Sequence, residues 1–375
     1  MKVLILSVKA GYGHHSTGQA IMSMLEEKGY ECVMLDTLEY VNTHLANSVA
    51  DGYLFSTKYL PDAYGKAYGT LDKREEKYEK RSLVAIFSKI VSHKLKVFFN
   101  SYTPDVVIGT HSYACLLMTY LKEKGIINCP TFGIVTDFTV HPFWESTDID
   151  YYVTPDKLLN RQMKKKGIPE EKILPYGIPI KRKFATSIDK KEARNILGIP
   201  DRTTLLVMMG SMGFGNILEN MKLIDSIEGD FQILCVCANN DKAKKEIESH
   251  IWEKSVYTFG FVDNVDVMMD ASDCIITKPG GLTTSEFLAK GIPAIILNPI
   301  PGQEERNMEF LVNNGLAVMV TDTFSLDEAL YELLLYPWRL DTLKACVSKI
   351  GKPDATLKLC EFIEKCISKK EMIEK

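Results

Sequence analysis

Three stretches of the chain bring together residue types that can do chemistry. The first is SVKAGYGHHSTGQAI, Ser7 to Ile21, where an apolar run turns through Gly11 and Gly13 into His14 and then a helical pattern. Glycine lets the backbone take positive φ and come close to a ligand. The free N–H groups of a following helix favour an anion, and an imidazole near its ordinary pKa takes a proton from a hydroxyl at neutral pH. The pattern predicts the helix from near Ser16, with His14 at the strand end. An idle surface histidine on a glycine turn is the competing reading. The run G-Y-G-H-H-S lacks the third glycine of a dinucleotide fingerprint.

The second stretch is TKPGGLTTSEFLAKGIPAIILN. A strand ends at Thr277, Pro279, Gly280 and Gly281 make a turn, and a helix is predicted from Leu282 or Thr283. Its N–H groups and the hydroxyls of Thr283 and Thr284 suit a diphosphate. Glu286 either accepts from ribose hydroxyls or caps the helix, and Lys278 either adds charge to the phosphates or stands solvated. The third stretch, PIPGQEERN, groups Gln303, Glu304 and Asn307, either for sugar hydroxyls or as a polar loop with a helix cap. LLVMMGSMGFGN brings Gly210, Ser211 and Met212 to a glycine-rich loop without the Lys-Ser/Thr of a P-loop, which disfavours ATP hydrolysis. In YTFGFVDN, the backbone at Phe261 and Val262 can read a nucleobase edge with the ring beside it, or Phe261 is core.

These loops need strands to hold them. Apolar, β-rich runs alternate with helical patterns: KVLILSV, ECVML, DVVIGT, TFGIVT and DYYV, then TLLVMM, FQILCV, VYTF, DCIIT, AIIL and AVMV. Near-continuous apolar strands spaced by helices predict parallel sheets covered on both faces, hence two doubly wound α/β units. Ligands of such sheets bind beyond the carboxyl ends of the strands, and all the loops above, with GTHS and TDFTVHPFW, lie there, as a ligand cleft between two domains requires. The boundary is expected near PYGIPIKRKFATSIDKKEARNILGIP. This gives a first domain over 1–185, a second over 186–336, and C-terminal helices over 337–375.

The chain of 375 residues is 46% hydrophobic and 25% charged, ordinary for a globular protein of this length. No apolar run reaches the length of a membrane span, and the N-terminal run reads as a strand rather than a signal peptide. The nine cysteines are an odd number without a Cys-x-x-Cys pair, so reduced cytosolic thiols are expected and a zinc site is not. The net charge of −4 is uneven: residues 1–185 hold 24 Lys and Arg against 20 Asp and Glu, the remainder 21 against 29. A basic first half suggests a face that meets something anionic, and no nucleic-acid-binding motif is present. Residues 80–96, KRSLVAIFSKIVSHKLK, hold five Lys/Arg and no acid with near-helical apolar spacing. They read either as a helix lying on an anionic bilayer or as a core helix with a solvated lysine face.

Together these residues resemble the monogalactosyldiacylglycerol synthase and processive diacylglycerol glucosyltransferase group, within the inverting family that includes the peptidoglycan N-acetylglucosaminyltransferase. The family's Gly-Gly-Gly-His turn is Gly11-Tyr12-Gly13-His14 here. Its Thr-Asp…His-Pro-x-Trp segment is Thr136, Asp137, His141, Pro142 and Trp144. Its donor loops match Lys278, Gly280 and Glu286, then Pro301, Gly302, Gln303, Glu304 and Asn307. Tyr12 replaces a glycine, and His15 stands where the family often has arginine.

The resemblance implies a GT-B fold of two Rossmann-like domains facing across a cleft: an acceptor- and membrane-facing domain over 1–185, a nucleotide-sugar domain over 186–336 holding a UDP-sugar donor, helices over 337–375 that cross back to the first domain, and a diacylglycerol or glycolipid acceptor. It implies a single inverting displacement of glucose or galactose with no metal or other cofactor required. It implies a cytoplasmic protein, peripheral on the inner face of the cell membrane. By that analogy Glu286 holds the ribose, Gln303 and Glu304 the sugar, and Phe261 the uracil; Gly13 joins the donor site. His14 is the candidate base or an acceptor-positioning group, with Asp137 the runner-up. Tyr12, His141 and Trp144 would meet the acceptor, with a structural loop network as the other reading of Asp137 and His141. A UDP-sugar epimerase of the same architecture, or a non-enzymatic sensor of the donor, are the alternatives.

Overall fold

The computed structural model describes residues 1–8, 12–41, 66, 95–209 and 216–373. Gly11, Gly210, Ser211 and Met212 lie outside the described residues, as do the side chain of Tyr12 and nearly all of the basic stretch 80–96. Contacts divide the chain into two units: Met1–Arg182 with Pro301–Gln303 and Asp354–Lys375, and Lys183–Ile300 with Glu304–Pro353.

The first unit carries a parallel sheet of β1 (Lys2–Ser7), β2 (Glu31–Asp36), β3 (Val106–Gly109), β4 (Thr131–Ile134), β5 (Tyr151–Val153) and β6 (Ile173–Leu174) in the order β2-β1-β3-β4-β5-β6. All five strands expected in this half are present. The sixth escapes a pattern reading because it is two residues long. Val3 and Ile5 of β1, Val106 and Ile108 of β3, and Phe132 and Ile134 of β4 are all fully buried with Ile21 and Leu25 of the first helix, α1 (Tyr12–Glu27). Gly18 lets α1 lie close on the sheet: a Cβ there would sit 2.7 Å from Met34 Sδ and 3.3 Å from Ile5 Cγ2.

The C-terminal helix Ala355–Ile373 packs against α1, burying Leu359, Cys360 and Ile363 in the same core. Glu364 fixes the docking, accepting from Lys28 Nζ at 2.7 Å and from Tyr30 OH at 2.9 Å. Thr356 Oγ1 exchanges hydrogen bonds with the Ile180 backbone.

The second unit carries β7 (Thr204–Met208), β8 (Gln232–Val236), β9 (Ser255–Phe259), β10 (Cys274–Thr277), β11 (Ala294–Ile296) and β12 (Ala317–Met319), again all parallel, in the order β12-β11-β10-β7-β8-β9. This is the dinucleotide-fold order, with its topological switch between β7 and β10. All six expected strands are present. The core joins Leu205, Val207, Ile233, Ile276 and Ile295 of the strands to Met221, Ile224, Ile247 and Leu330 of the helices. A buried ion pair, Lys290 Nζ to Asp270 Oδ2 at 2.6 Å, ties the entering chain to this unit: Lys290 also donates to Thr186 O and Asp270 accepts from Ile188 N.

Candidate functional site

In the first unit the switch point lies between β1 and β3, which run side by side but continue to opposite sides. Here the helix starts earlier than the sequence suggests. It begins at Tyr12, so His14 stands in its first turn rather than at the strand end. From there the ring reaches the ends of two strands. Its Nδ1 lies 2.9 Å from Thr110 O, after β3, and 2.8 Å from Thr136 Oγ1, after β4. A carbonyl oxygen only accepts, so Nδ1 carries the hydrogen and Nε2 keeps its lone pair. Burial lowers the His14 pKa, opposed by the charge of Asp137 and the hydrogen bond to Thr110. The imidazole is therefore neutral at neutral pH, with a basic nitrogen available. The idle-surface reading of His14 does not survive these contacts.

Two further histidines of this half, His111 and His141, cap helices. His111 caps the helix Ser112–Glu123, its Nδ1 accepting from Tyr113 N–H at 3.0 Å. His141 caps the short helix Pro142–Ser146 in the same way, accepting from Phe143 N–H at 3.1 Å. Each has its hydrogen on Nε2, the opposite tautomer to His14. His111 meets His14 edge-on, with ring centroids 4.5 Å apart, and stacks on Tyr113. Its pKa lies well below the ordinary value, through burial and then the charges of His14 and His141. Nothing in the sequence of the GTHS loop singles out His111 or Tyr113, since a lone His after a strand carries no spacing signal.

Trp144, expected at the acceptor, is 3% exposed. Its indole packs edge-on against Tyr152 and close over Gly133. The chain's Asp-x-Asp triplet, Asp148-Ile149-Asp150, is engaged locally: Asp148 pairs with Lys172, and Asp150 with Lys122 and both donors of Thr131. Among the described residues no group of three or more His, Cys, Asp or Glu is placed to hold a metal ion.

In the second unit, β10 delivers Lys278 and the Pro279-Gly280-Gly281 turn to the switch point, and the helix Gly281–Ala289 follows at once. Gly280 is its N-cap, and no side chain caps it. Glu286 lies in the second turn, too far along to cap, so the capping reading of that residue falls. Thr284, fully buried, leaves its Oγ1 without a hydrogen-bond partner, while Thr283 is partly exposed. Burial pushes the Lys278 pKa down, partly offset by the charge of Glu304.

Gly302, at φ 92°, turns the chain into the helix Gln303–Asn313, so Gln303, Glu304 and Asn307 stand on its first turns rather than on a loop. Glu304 Oε2 accepts from Ile300 N–H at 2.7 Å, and its Oε1 is the nearest atom to a Cβ built on Gly280, at 3.9 Å. Buried Asn307 donates to Pro279 O at 3.0 Å. Lys278, Gly280, Glu304 and Asn307 thus form one cluster. Phe261 and Val262 follow the edge strand β9. Phe261 is 73% exposed, which removes the core reading and leaves its ring open to a partner.

Residues 14–180 match the family model of monogalactosyldiacylglycerol (MGDG) synthase, and residues 204–357 match the glycosyltransferase family 28 C-terminal domain. The chain belongs to this family of sugar transferases. It is 27% identical over 368 residues to the processive diacylglycerol beta-glucosyltransferase of Bacillus cytotoxicus, covering 96% of this chain and 93% of that one. Its fold is similar to that of Acinetobacter baumannii MurG, at a TM-score of 0.60 and 13% identity over 97% of this chain and 99% of that one. It is equally similar to UDP-GlcNAc 2-epimerase from Neisseria meningitidis bound to UDP-GlcNAc, at 0.60 and 15% over 97% and 100%. The fold is GT-B-like.

The transferase therefore holds two kinds of chemistry on its two sheets. The first unit offers a neutral imidazole with its hydrogen on Nδ1 and a lone pair on Nε2, suited to taking a proton from a hydroxyl. The second offers an uncapped helix N-terminus, a buried unpartnered hydroxyl and a lysine, suited to an anion. Among its described residues no helix is long and apolar enough to cross a membrane.

Proposed function

We propose that the transferase moves a hexose, glucose or galactose, from a UDP-sugar to diacylglycerol or a related glycolipid, with inversion at the anomeric carbon. The observation that carries this reading is the His14 imidazole, whose Nδ1 is engaged by Thr110 O and Thr136 Oγ1. His14 Nε2 takes the proton of the acceptor hydroxyl as that oxygen attacks the anomeric carbon. The bond from that carbon to the diphosphate oxygen breaks, and the departing charge goes to UDP. The N–H groups after Gly280, with Lys278, stabilise that charge; Glu286 binds the ribose, Gln303, Glu304 and Asn307 the sugar, and Phe261 and Val262 the base. His141 stands on the acceptor side, and Asp137, which favours the imidazolium, supports His14 as it is protonated.

In this reading residues 1–185 serve the acceptor and the membrane, residues 186–336 serve the donor, and the protein works peripherally on an anionic membrane from the cytoplasmic side. The names of the relatives support the lipid acceptor, and the UDP-GlcNAc-bound neighbour supports the UDP moiety. The test is incubation of the full chain with diacylglycerol vesicles and each of UDP-glucose and UDP-galactose, the lipid product being identified by mass. A lipid carrying one or more hexoses is the expected product. Interconversion of the UDP-sugar with no transfer would favour an epimerase, and donor binding with neither outcome a sensor.

A further inference from the structure

We propose that His111 is a positioning residue for His14: its edge-on ring walls the His14 imidazole from water and keeps Nε2 free of a proton at neutral pH. The inference deepens the proposed function, since it rests on His14 acting as the base.

His111 is held in place by its own contacts. Its Nδ1 accepts from Tyr113 N–H at 3.0 Å, and its face stacks on the Tyr113 ring, with centroids 5.0 Å apart and planes 18° from parallel. The ring therefore cannot turn without giving up the helix cap. His14 is fixed in turn by Thr110 O and Thr136 Oγ1. The two imidazoles meet at 4.5 Å and 76°, and at that spacing no water fits between them.

The groups that face His14 come from two strand ends. Thr110 and His111 follow β3; Thr136 and Asp137 follow β4; beyond His111 stands His141, capping Pro142–Ser146. Asp137 and the Thr110 hydrogen bond favour the imidazolium, and burial opposes it and prevails. His111 is one wall of that burial. His111, its own pKa held well below the ordinary value by burial and then by His14 and His141, is uncharged at neutral pH and brings no negative charge that would favour the imidazolium of His14. Removing the ring admits water and leaves the carboxylate of Asp137 less opposed, so the His14 midpoint rises.

The experiment uses His111→Asn, because the asparagine carboxamide oxygen still accepts from Tyr113 N–H and keeps the cap. His111→Gln serves as the second variant if His111→Asn does not fold. The imidazole resonances of His14 are titrated by NMR in the full chain, and the pH profile of kcat/KM is measured with UDP-sugar and diacylglycerol vesicles. The expected result is an upward move of the His14 midpoint by about half a pH unit or more, with the acid limb of kcat/KM moving by the same amount. The ratio of activity at pH 8 to that at pH 6 then widens about threefold or more. An unmoved or lowered His14 midpoint in a folded variant overturns the inference, whatever the activity. A raised midpoint in a protein that transfers no sugar supports the wall and counts instead against the proposed function.

Discussion

The backbone carbonyl of Thr110 lies 2.9 Å from His14 Nδ1, although 96 positions separate the two residues. That contact decides the tautomer and so decides which nitrogen is basic. His14→Asn can keep a hydrogen bond to Thr110 O but has no basic nitrogen. Transfer by this variant is expected to fall about 10²- to 10⁴-fold in kcat, while UDP binding, measured by calorimetry, stays within about twofold. A loss of UDP binding as large as the loss of rate would remove His14 from the role of base.

Acid should destabilise the fold through the same histidines. The pKa values of His14 and His111 are both lowered in the folded protein, chiefly by burial. Between those folded values and about 6.5 the unfolded chain binds protons that the folded one does not, so stability rises with pH across that window. It is lost as pH falls below about 6.5 and is unaffected by these groups above it. Urea unfolding at pH 7.5, 6.5 and 5.5 is expected to show the decline, and His14→Asn with His111→Asn to flatten it. Equal slopes in both proteins would refute the assignment.

Gly280 separates binding from folding. Its φ of −66° suits alanine, and an added Cβ would meet only Glu304 Oε1, at an ordinary 3.9 Å. Gly280→Ala is expected to leave stability within about 0.5 kcal/mol. The methyl would stand at the uncapped helix end, where the proposed function brings the diphosphate, so on that reading the KM for UDP-sugar should rise about tenfold. An unchanged KM would place the diphosphate elsewhere.

The buried pair of Lys290 and Asp270 has the opposite character. Their side chains are 1% and 4% exposed. Asp270→Asn leaves an ammonium without its counter-charge and should cost about 3–5 kcal/mol. Lys290→Met combined with Asp270→Leu should recover much of that loss. Chemical denaturation of the three proteins checks it, and an Asp270→Asn as stable as the parent would show the pair to be solvated.

The basic first half predicts attachment to membranes by charge. Binding to vesicles should rise with the anionic lipid fraction and fall as salt is added. Neutralising Lys80, Arg81 and Lys89 together should weaken it about tenfold, at roughly 1 kcal/mol for each charge at most. Co-sedimentation reads the result; equal binding to neutral vesicles at high salt would exclude an electrostatic attachment.

The sequence by itself determined the strands and the loops that follow them. Among the described residues, eleven of the twelve strands were legible because a parallel strand covered on both faces is a nearly unbroken apolar run. β6 was not, because two residues hold no pattern. The loops were legible because open parallel sheets place their ligands at strand ends, which singles out His14, Lys278 and Glu304. Only the tertiary structure decided how those residues are placed. It moved His14 into a helix, buried Trp144, exposed Phe261 and brought His111 against His14. The physical reason is distance along the chain: a tautomer and a desolvated ring are fixed by partners roughly a hundred residues away, which meet only when β1, β3 and β4 lie side by side.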